Sequence, residues 1–325
     1  MPSFFSVFIF ILMAGLGFSW PEFEYGEKLN FENIGLREID YSKLKAGLFS
    51  QGAEPKPQAR ENPFEKTEFG AKSVVVLDLV KDEIIFSKEG GAERPLASLT
   101  KLVTAAVLED MFLGIADENE KVLIDQRAVN QTGDDGFLVG ESFAAADLRD
   151  AMLVKSSNDA AQALVFWSEG LQSEKPDDYW FVNQMNLFAS SLGLESTRFL
   201  NVTGLDLDKN VSGSYGTAKE MAKLLSWLVK NRPSVVGSTG KSSLVVYSIE
   251  GRRHVLGTSA ERLMAVPELI AVKTGFTELA GGNVVFAFGL GPGRQFAAAV
   301  LGSSYDGRFD DALKIYETAK EWIKP

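Results

Sequence analysis

Three short polar clusters, each set in an apolar context, hold the residues whose types and spacing could do chemistry. The first is Ser98-Leu99-Thr100-Lys101, which follows Pro95-Leu96-Ala97 and runs on into the apolar stretch Leu102 to Leu108. Apart from Lys101 and two threonines the predicted helix is apolar all round, the pattern of a buried helix. An unpaired ammonium in such a place costs several kcal/mol by rough estimate, so the lysine must be paired, deprotonated or turned to a cleft. Ser98 lies one turn away on the same face. A serine hydroxyl is a weak nucleophile until a base takes its proton, and a desolvated lysine with a lowered pKa is such a base. The helix N-terminus would stabilise negative charge developing there. Taken alone, the tetrapeptide reads equally well as a helix N-cap followed by a snorkelling lysine. The same spacing recurs at Ser42 to Lys45 and Ser238 to Lys241, where no apolar helix follows.

The second cluster, Lys155-Ser156-Ser157-Asn158-Asp159-Ala160, contains the only S-x-N of the chain and falls between two helical patterns. The third, Lys273-Thr274-Gly275-Phe276, contains the only K-T-G and follows an apolar, strand-like run. In this order the three match a signature of serine acyl-transfer enzymes.

Other chemistries are narrowed by composition. The chain has no cysteine, which removes thiol nucleophiles, disulfides and thiolate zinc sites. Its single histidine, His254, sits in the polar stretch Gly251-Arg252-Arg253-His254 and is expected at the surface between strands. No G-x-S-x-G elbow accompanies it, so a Ser-His-Asp triad is disfavoured. With 33 Lys+Arg against 44 Asp+Glu the net charge is -11, and no basic patch with interleaved aromatics offsets it. Nucleic acid is therefore an unsuitable partner. Asp206, Asp208 and Asn210 lack the glycine and terminal glutamate of a calcium loop, and no cofactor is called for.

The elements that must position these clusters can be read from periodicity. Phe4 to Trp20 carries no charge and at helical rise spans about 25 Å, the length of a signal peptide or an N-terminal membrane anchor. Glu22 and Glu24 follow it, which favours an outside C-terminus. Residues 21–70 read as a polar linker and 71–325 as the catalytic domain. Ser73 to Leu79 and Glu83 to Ser87 look like a hairpin. Helical patterns follow to Asn231, including a core stripe of Phe181, Met185, Phe188 and Leu192. Apolar strand-like runs near Leu244–Ser248, Leu269–Val272, Asn283–Gly289 and Phe296–Gly302 precede an amphipathic helix over Arg308–Ile323. Strands at both ends with helices between them predict one α+β domain whose sheet is assembled from both ends, with a helical insertion.

On these motifs the stretch from Ala71 onward resembles the D-alanyl-D-alanine carboxypeptidase family of low-molecular-mass penicillin-binding proteins. The resemblance extends to Arg94-Pro95-Leu96-Ala97, Phe181-Val182 with Met185-Asn186, and Leu192-Gly193-Leu194. It continues through Thr197, Phe199, Asn201, Gly204-Leu205-Asp206, Thr217-Ala218 and Glu220-Met221-Ala222. It implies an antiparallel sheet flanked by helices, an all-helical subdomain, and an active site at their junction. It further implies that Ser98 attacks the penultimate D-Ala carbonyl, Lys101 takes its proton, and Ser156 relays a proton to the leaving amine. Asn158 would hold the substrate backbone and Lys101, and Lys273 with Thr274 the terminal carboxylate. Gly275 would leave room for substrate against the strand, and the backbone N–H groups of Ser98 and Phe276 would form the oxyanion hole.

The implied partners are a peptidoglycan stem peptide ending in D-Ala-D-Ala and β-lactam inhibitors, met outside the cytoplasmic membrane. Many relatives carry a C-terminal β-rich domain and terminal anchor, whereas this sequence stops one helix beyond its last strand, so attachment is expected through residues 4–20. A DD-endopeptidase, a class A-like β-lactamase and an exported binding module for peptidoglycan or β-lactams are the alternatives. The lactamase would need a water-activating glutamate, and Glu195 is followed by Ser196 to Asn201 without the close Glu-to-Asn spacing of that loop.

Overall fold

The computed structural model describes residues 61–324 apart from 115–116, 130–132, 134, 173–175 and 178. The hydrophobic segment 4–20 and most of the expected linker lie outside the described residues. At its centre is a five-stranded antiparallel sheet. Its strands are β1 (Ser73–Asp78), β2 (Glu83–Lys88), β3 (Leu269–Thr277), β4 (Gly281–Gly289) and β5 (Gln295–Ser303), in the spatial order β3-β4-β5-β1-β2. Strands from the two ends of the domain meet where β5 pairs with β1, Ser73 opposite Leu301 and Asp78 opposite Phe296.

The period-2 alternation of strands divides the core in two. Val75 and Leu77 join Ala271, Val285, Ala287, Ala297, Ala299 and Leu301 on one face. Val74 and Val76 join Val284, Phe286, Phe288, Phe296, Ala298 and Val300 on the other. All six β1 residues are buried, which is why Ser-Val-Val-Val-Leu-Asp reads as an unbroken run rather than an alternating one.

The first face is covered by helices. They are α1 (Lys101–Gly114), α2 (Ala145–Val154), α3 (Asn158–Gly170), α4 (Trp180–Ser191) and α5 (Ala218–Asn231). α1 packs on α2, α3 and α4 and is the axis of the helical subdomain; α5 lies on β1, β4 and β5. Thr217 caps α5 by accepting from the Glu220 backbone N–H, and Met221, Leu224, Leu225 and Leu228 form its buried stripe. The second face is covered by α6 (Gly307–Trp322) through Phe309, Ala312, Ile315, Tyr316 and Ala319.

Two expectations need correction. The linker does not extend to residue 70. Asn62 caps a short helical turn at Pro63–Lys66, Phe64 is fully buried, and its ring stacks on Phe86 at 5.6 Å. The run Glu61–Gly70 carries no periodic signal because its apolar residues Phe64 and Phe69 are too far apart to show one. His254 is not at the surface. It is buried in the hairpin Ser243–Tyr247/Arg253–Gly257, 3.1 Å from Glu141 and flanked by the rings of Phe137 and Phe143. Among the described residues no helix is long and apolar enough to cross a membrane.

Candidate active site

Ser98 lies in a tight helical turn, Ala97–Thr100, between the short strand Arg94–Pro95 and α1. The turn is over-determined by its neighbours. Leu96 N–H donates to the Ser214 carbonyl at 3.1 Å, and Thr100 Oγ1 donates to the Ala97 carbonyl at 2.7 Å. Ala97 takes φ +51°, a left-handed conformation that costs a residue with a side chain about 1–3 kcal/mol. Such strain persists only where packing enforces it, and two glycines do so. A Cβ on Gly204 would stand 1.9 Å from the Ala97 carbonyl oxygen, and one on Gly275 2.9 Å from the Leu96 carbonyl oxygen and 3.0 Å from Ser98 N. Gly275 therefore makes room for the serine's own turn, and it also lines the cleft beside it.

Lys101 is fully buried at the first turn of α1. Its Nζ lies 3.1 Å from Ser98 Oγ, 2.7 Å from Asn158 Oδ1 and 2.9 Å from the Thr203 carbonyl. Burial lowers its pKa to about 7, against the opposing pull of the Asp135 carboxylate. A neutral amine has two hydrogens and one lone pair. Asn158 and Thr203 accept the two hydrogens, and the lone pair is left for the Ser98 hydroxyl.

The S-x-N segment joins α2 to α3. Ser157 caps α3 by accepting from Ala160 N–H, so Asn158 stands at its first residue. Ser156, at φ +69°, turns the chain between the two helices and accepts from Lys273 Nζ at 2.7 Å. Lys273 comes from the opposite wall, the edge strand β3, where its ammonium also reaches the Thr274 carbonyl at 2.8 Å. Burial, then Lys101 and Arg308, hold Lys273 well below an ordinary lysine pKa. Thr274 Oγ1 donates to Ser259 Oγ at 2.7 Å.

The motifs thus meet between the sheet edge and the helical subdomain. They meet at a cleft of about 530 Å³ lined by Ser98, Ser156, Thr274, Gly275, Phe276 and Arg308 among others. Phe276 places its ring edge-on to Tyr305 at 5.1 Å.

Several contributors carry no signal in the motifs. Arg308, at the first turn of α6, donates to the Gly275 carbonyl at 3.2 Å and lies over the rings of Tyr305 and Phe309. Burial lowers its pKa from the ordinary value. It belongs to a helix that reads as merely amphipathic, so nothing in its spacing points to the cleft. Thr203 contributes only a carbonyl, held by Asn201, whose Oδ1 accepts from Gly204 N at 2.7 Å. Asn283 donates to the Pro95 carbonyl at 3.0 Å and pins the serine's strand to the sheet; a lone amide in the apolar run of β4 was a signal that could have been read. Asp206, weighed as a calcium ligand, instead accepts from Thr277 Oγ1 and Leu279 N. Among the described residues no group of three His, Asp or Glu is placed to hold a metal.

Residues 58–304 match the family profile described as D-alanyl-D-alanine carboxypeptidase. The D-alanyl-D-alanine carboxypeptidase DacF of Bacillus subtilis is 28% identical over 209 residues, which are 64% of this chain and 51% of that protein. DacA of Escherichia coli, a carboxypeptidase of the same description, is 27% identical over 256 residues, 75% of this chain and 59% of its own. The chain thus spans little more than half the length of these curated relatives. Penicillin-binding protein D2 of Listeria monocytogenes, solved with ampicillin bound, is 27% identical with a TM-score of 0.63 over 78% of this chain and 98% of its own.

Proposed function

The chain belongs to the D-alanyl-D-alanine carboxypeptidase family, and from that premise we propose that it removes the terminal D-Ala from peptidoglycan stem peptides through an acyl-enzyme on Ser98. The observation that carries this reading is the buried Lys101 amine, 3.1 Å from Ser98 Oγ and with a pKa near neutrality.

In the proposed reaction neutral Lys101 takes the Ser98 proton as Oγ bonds to the carbonyl carbon of the penultimate D-Ala. The backbone N–H groups of Ser98 and Phe276 stabilise the oxyanion, usually the largest electrostatic contribution. The C–N bond then breaks. The proton held by Lys101 passes through Ser156 to the leaving nitrogen, and Lys101 is neutral again. Water enters where the amine left, gives its proton to Lys101, and cleaves the ester by the same steps in reverse. Lys273 and Thr274 offer hydrogen-bond donors and Arg308 a positive charge at the leaving-group end, where a free carboxylate is held. A β-lactam acylates the same serine, as the ampicillin-bound relative suggests. The substrate places the domain in the extracytoplasmic cell envelope, with residues 4–20 as export signal or anchor.

Glu195, the residue a lactamase would need, is exposed in the loop after α4 and does not line the cleft. The test of the proposal is D-Ala release from a pentapeptide ending in D-Ala-D-Ala beside its C-terminal amide. The free acid reacts at least about tenfold faster, about 1.4 kcal/mol in transition-state binding. Equal rates on the amide or on a cross-linked muropeptide would make the enzyme an endopeptidase.

A further inference from the structure

Asp135 belongs to none of the three motifs. It lies in the segment between the short strands Lys121–Leu123 and Ser142–Ala144, beside Gly133 and Gly136, whose positive φ values of +116° and +82° mark sharp turns of the backbone. One of its oxygens, Oδ2, accepts from Ser157 Oγ at 2.7 Å, from Asn158 N–H at 2.9 Å and from Asp159 N–H at 3.4 Å. These donors are the first groups of α3, the helix that presents Asn158. Asn158 Oδ1 in turn accepts from Lys101 Nζ at 2.7 Å. An unbroken chain of contacts therefore runs from the Asp135 carboxylate through residue 158 to the amine beside Ser98.

We propose that Asp135 is a positioning residue of the reaction, one that fixes Asn158 against Lys101 and whose negative charge sets the pH at which Lys101 can act as a base. The inference rests on the reading above, in which Lys101 is that base. Asp135 acts through Asn158 and through space, so its role divides into a hydrogen-bonding part and a charge part. Among the described residues the titratable groups facing Lys101 are Asp135 and Lys273, from the loop and from β3; its hydrogen-bond partners, Ser98 Oγ, Asn158 Oδ1 and the Thr203 carbonyl, are neutral. Burial disfavours the ammonium, and Asp135 opposes it. With Asp135 neutralised, the balance tips toward the free amine.

Because a single oxygen makes all three contacts, the carbonyl oxygen of an asparagine can replace it while the charge is lost. The experiment compares the full chain with Asp135→Asn and Asp135→Ala, following acylation of Ser98 by a fluorescent penicillin as a function of pH. Asp135→Asn keeps its maximal rate within about threefold, but the rising limb of its profile moves to lower pH. Asp135→Ala loses at least about tenfold of the maximal rate, because Asn158 loses its support. A limb that stays in place in Asp135→Asn overturns the proposal, whether or not the alanine variant folds. A wild-type profile with no rising limb near neutrality would instead count against Lys101 as the base, so the two failures are distinguishable.

Discussion

Lys101 Nζ and Ser98 Oγ lie 3.1 Å apart across the first turn of a helix with no solvent-facing side at that turn. The amine is fully buried, and the same burial that lowers its pKa leaves its lone pair free for the hydroxyl. On the proposed reading the pair exchanges one proton at neutral pH.

The pH dependence follows with a definite sign. The active form of Lys101 is the neutral one, so acylation by a β-lactam is slow where the amine is protonated and rises with pH through about 7 to a plateau. Lys101→Arg keeps the charge but cannot readily lose a proton, and acylates at least about a hundredfold more slowly while remaining folded. Stopped-flow labelling across pH 5 to 9 checks both, and a flat wild-type profile with a fast arginine variant would move the base elsewhere.

In the proposed reaction Thr274 and Arg308 are the neutral and cationic groups that would face the terminal carboxylate at the leaving-group end. Thr274→Val and Arg308→Leu each narrow the preference for the free acid over the amide, chiefly through the acid, by about 1–2 kcal/mol per lost charge-assisted bond. Steady-state kcat/KM on the two peptides measures this, and an unchanged ratio in both variants would place the carboxylate elsewhere.

Gly204 has a structural role that can be separated from chemistry. It adopts φ +80°, and an added Cβ would collide with the Ala97 carbonyl of the serine's turn. Gly204→Ala lowers stability by about 2–4 kcal/mol and lowers acylation with it, because the turn cannot withdraw without moving Ser98. Thermal unfolding monitored by circular dichroism gives the first number and penicillin labelling the second. A variant as stable as wild type would show that the turn is not held in this way.

What was legible in the sequence was whatever has a short period or a short motif. The two-ended sheet followed from apolar runs, and the three clusters from residue types at fixed spacing, and the structure brings all of them to one cleft. What was not legible depends on contacts distant in sequence. Phe64 belongs to the core because it meets Phe86, Thr203 matters through a carbonyl that any residue possesses, and Arg308 enters the cleft because α6 packs where it does. Gly275 was legible as a required glycine, but not which atoms fill the space beside it, since that is decided by the Leu96 and Ser98 backbone. His254 reads as exposed because Arg252 and Arg253 precede it, while strand alternation turns its own ring inward to Glu141.

The central claim is that Ser98 is the nucleophile. The direct measurement is to incubate the chain with a fluorescent penicillin, digest it and locate the adduct by mass spectrometry. The account predicts one stoichiometric adduct on the peptide containing Ser98 and none in Ser98→Ala. An adduct on another serine, or undiminished labelling of Ser98→Ala, would contradict it.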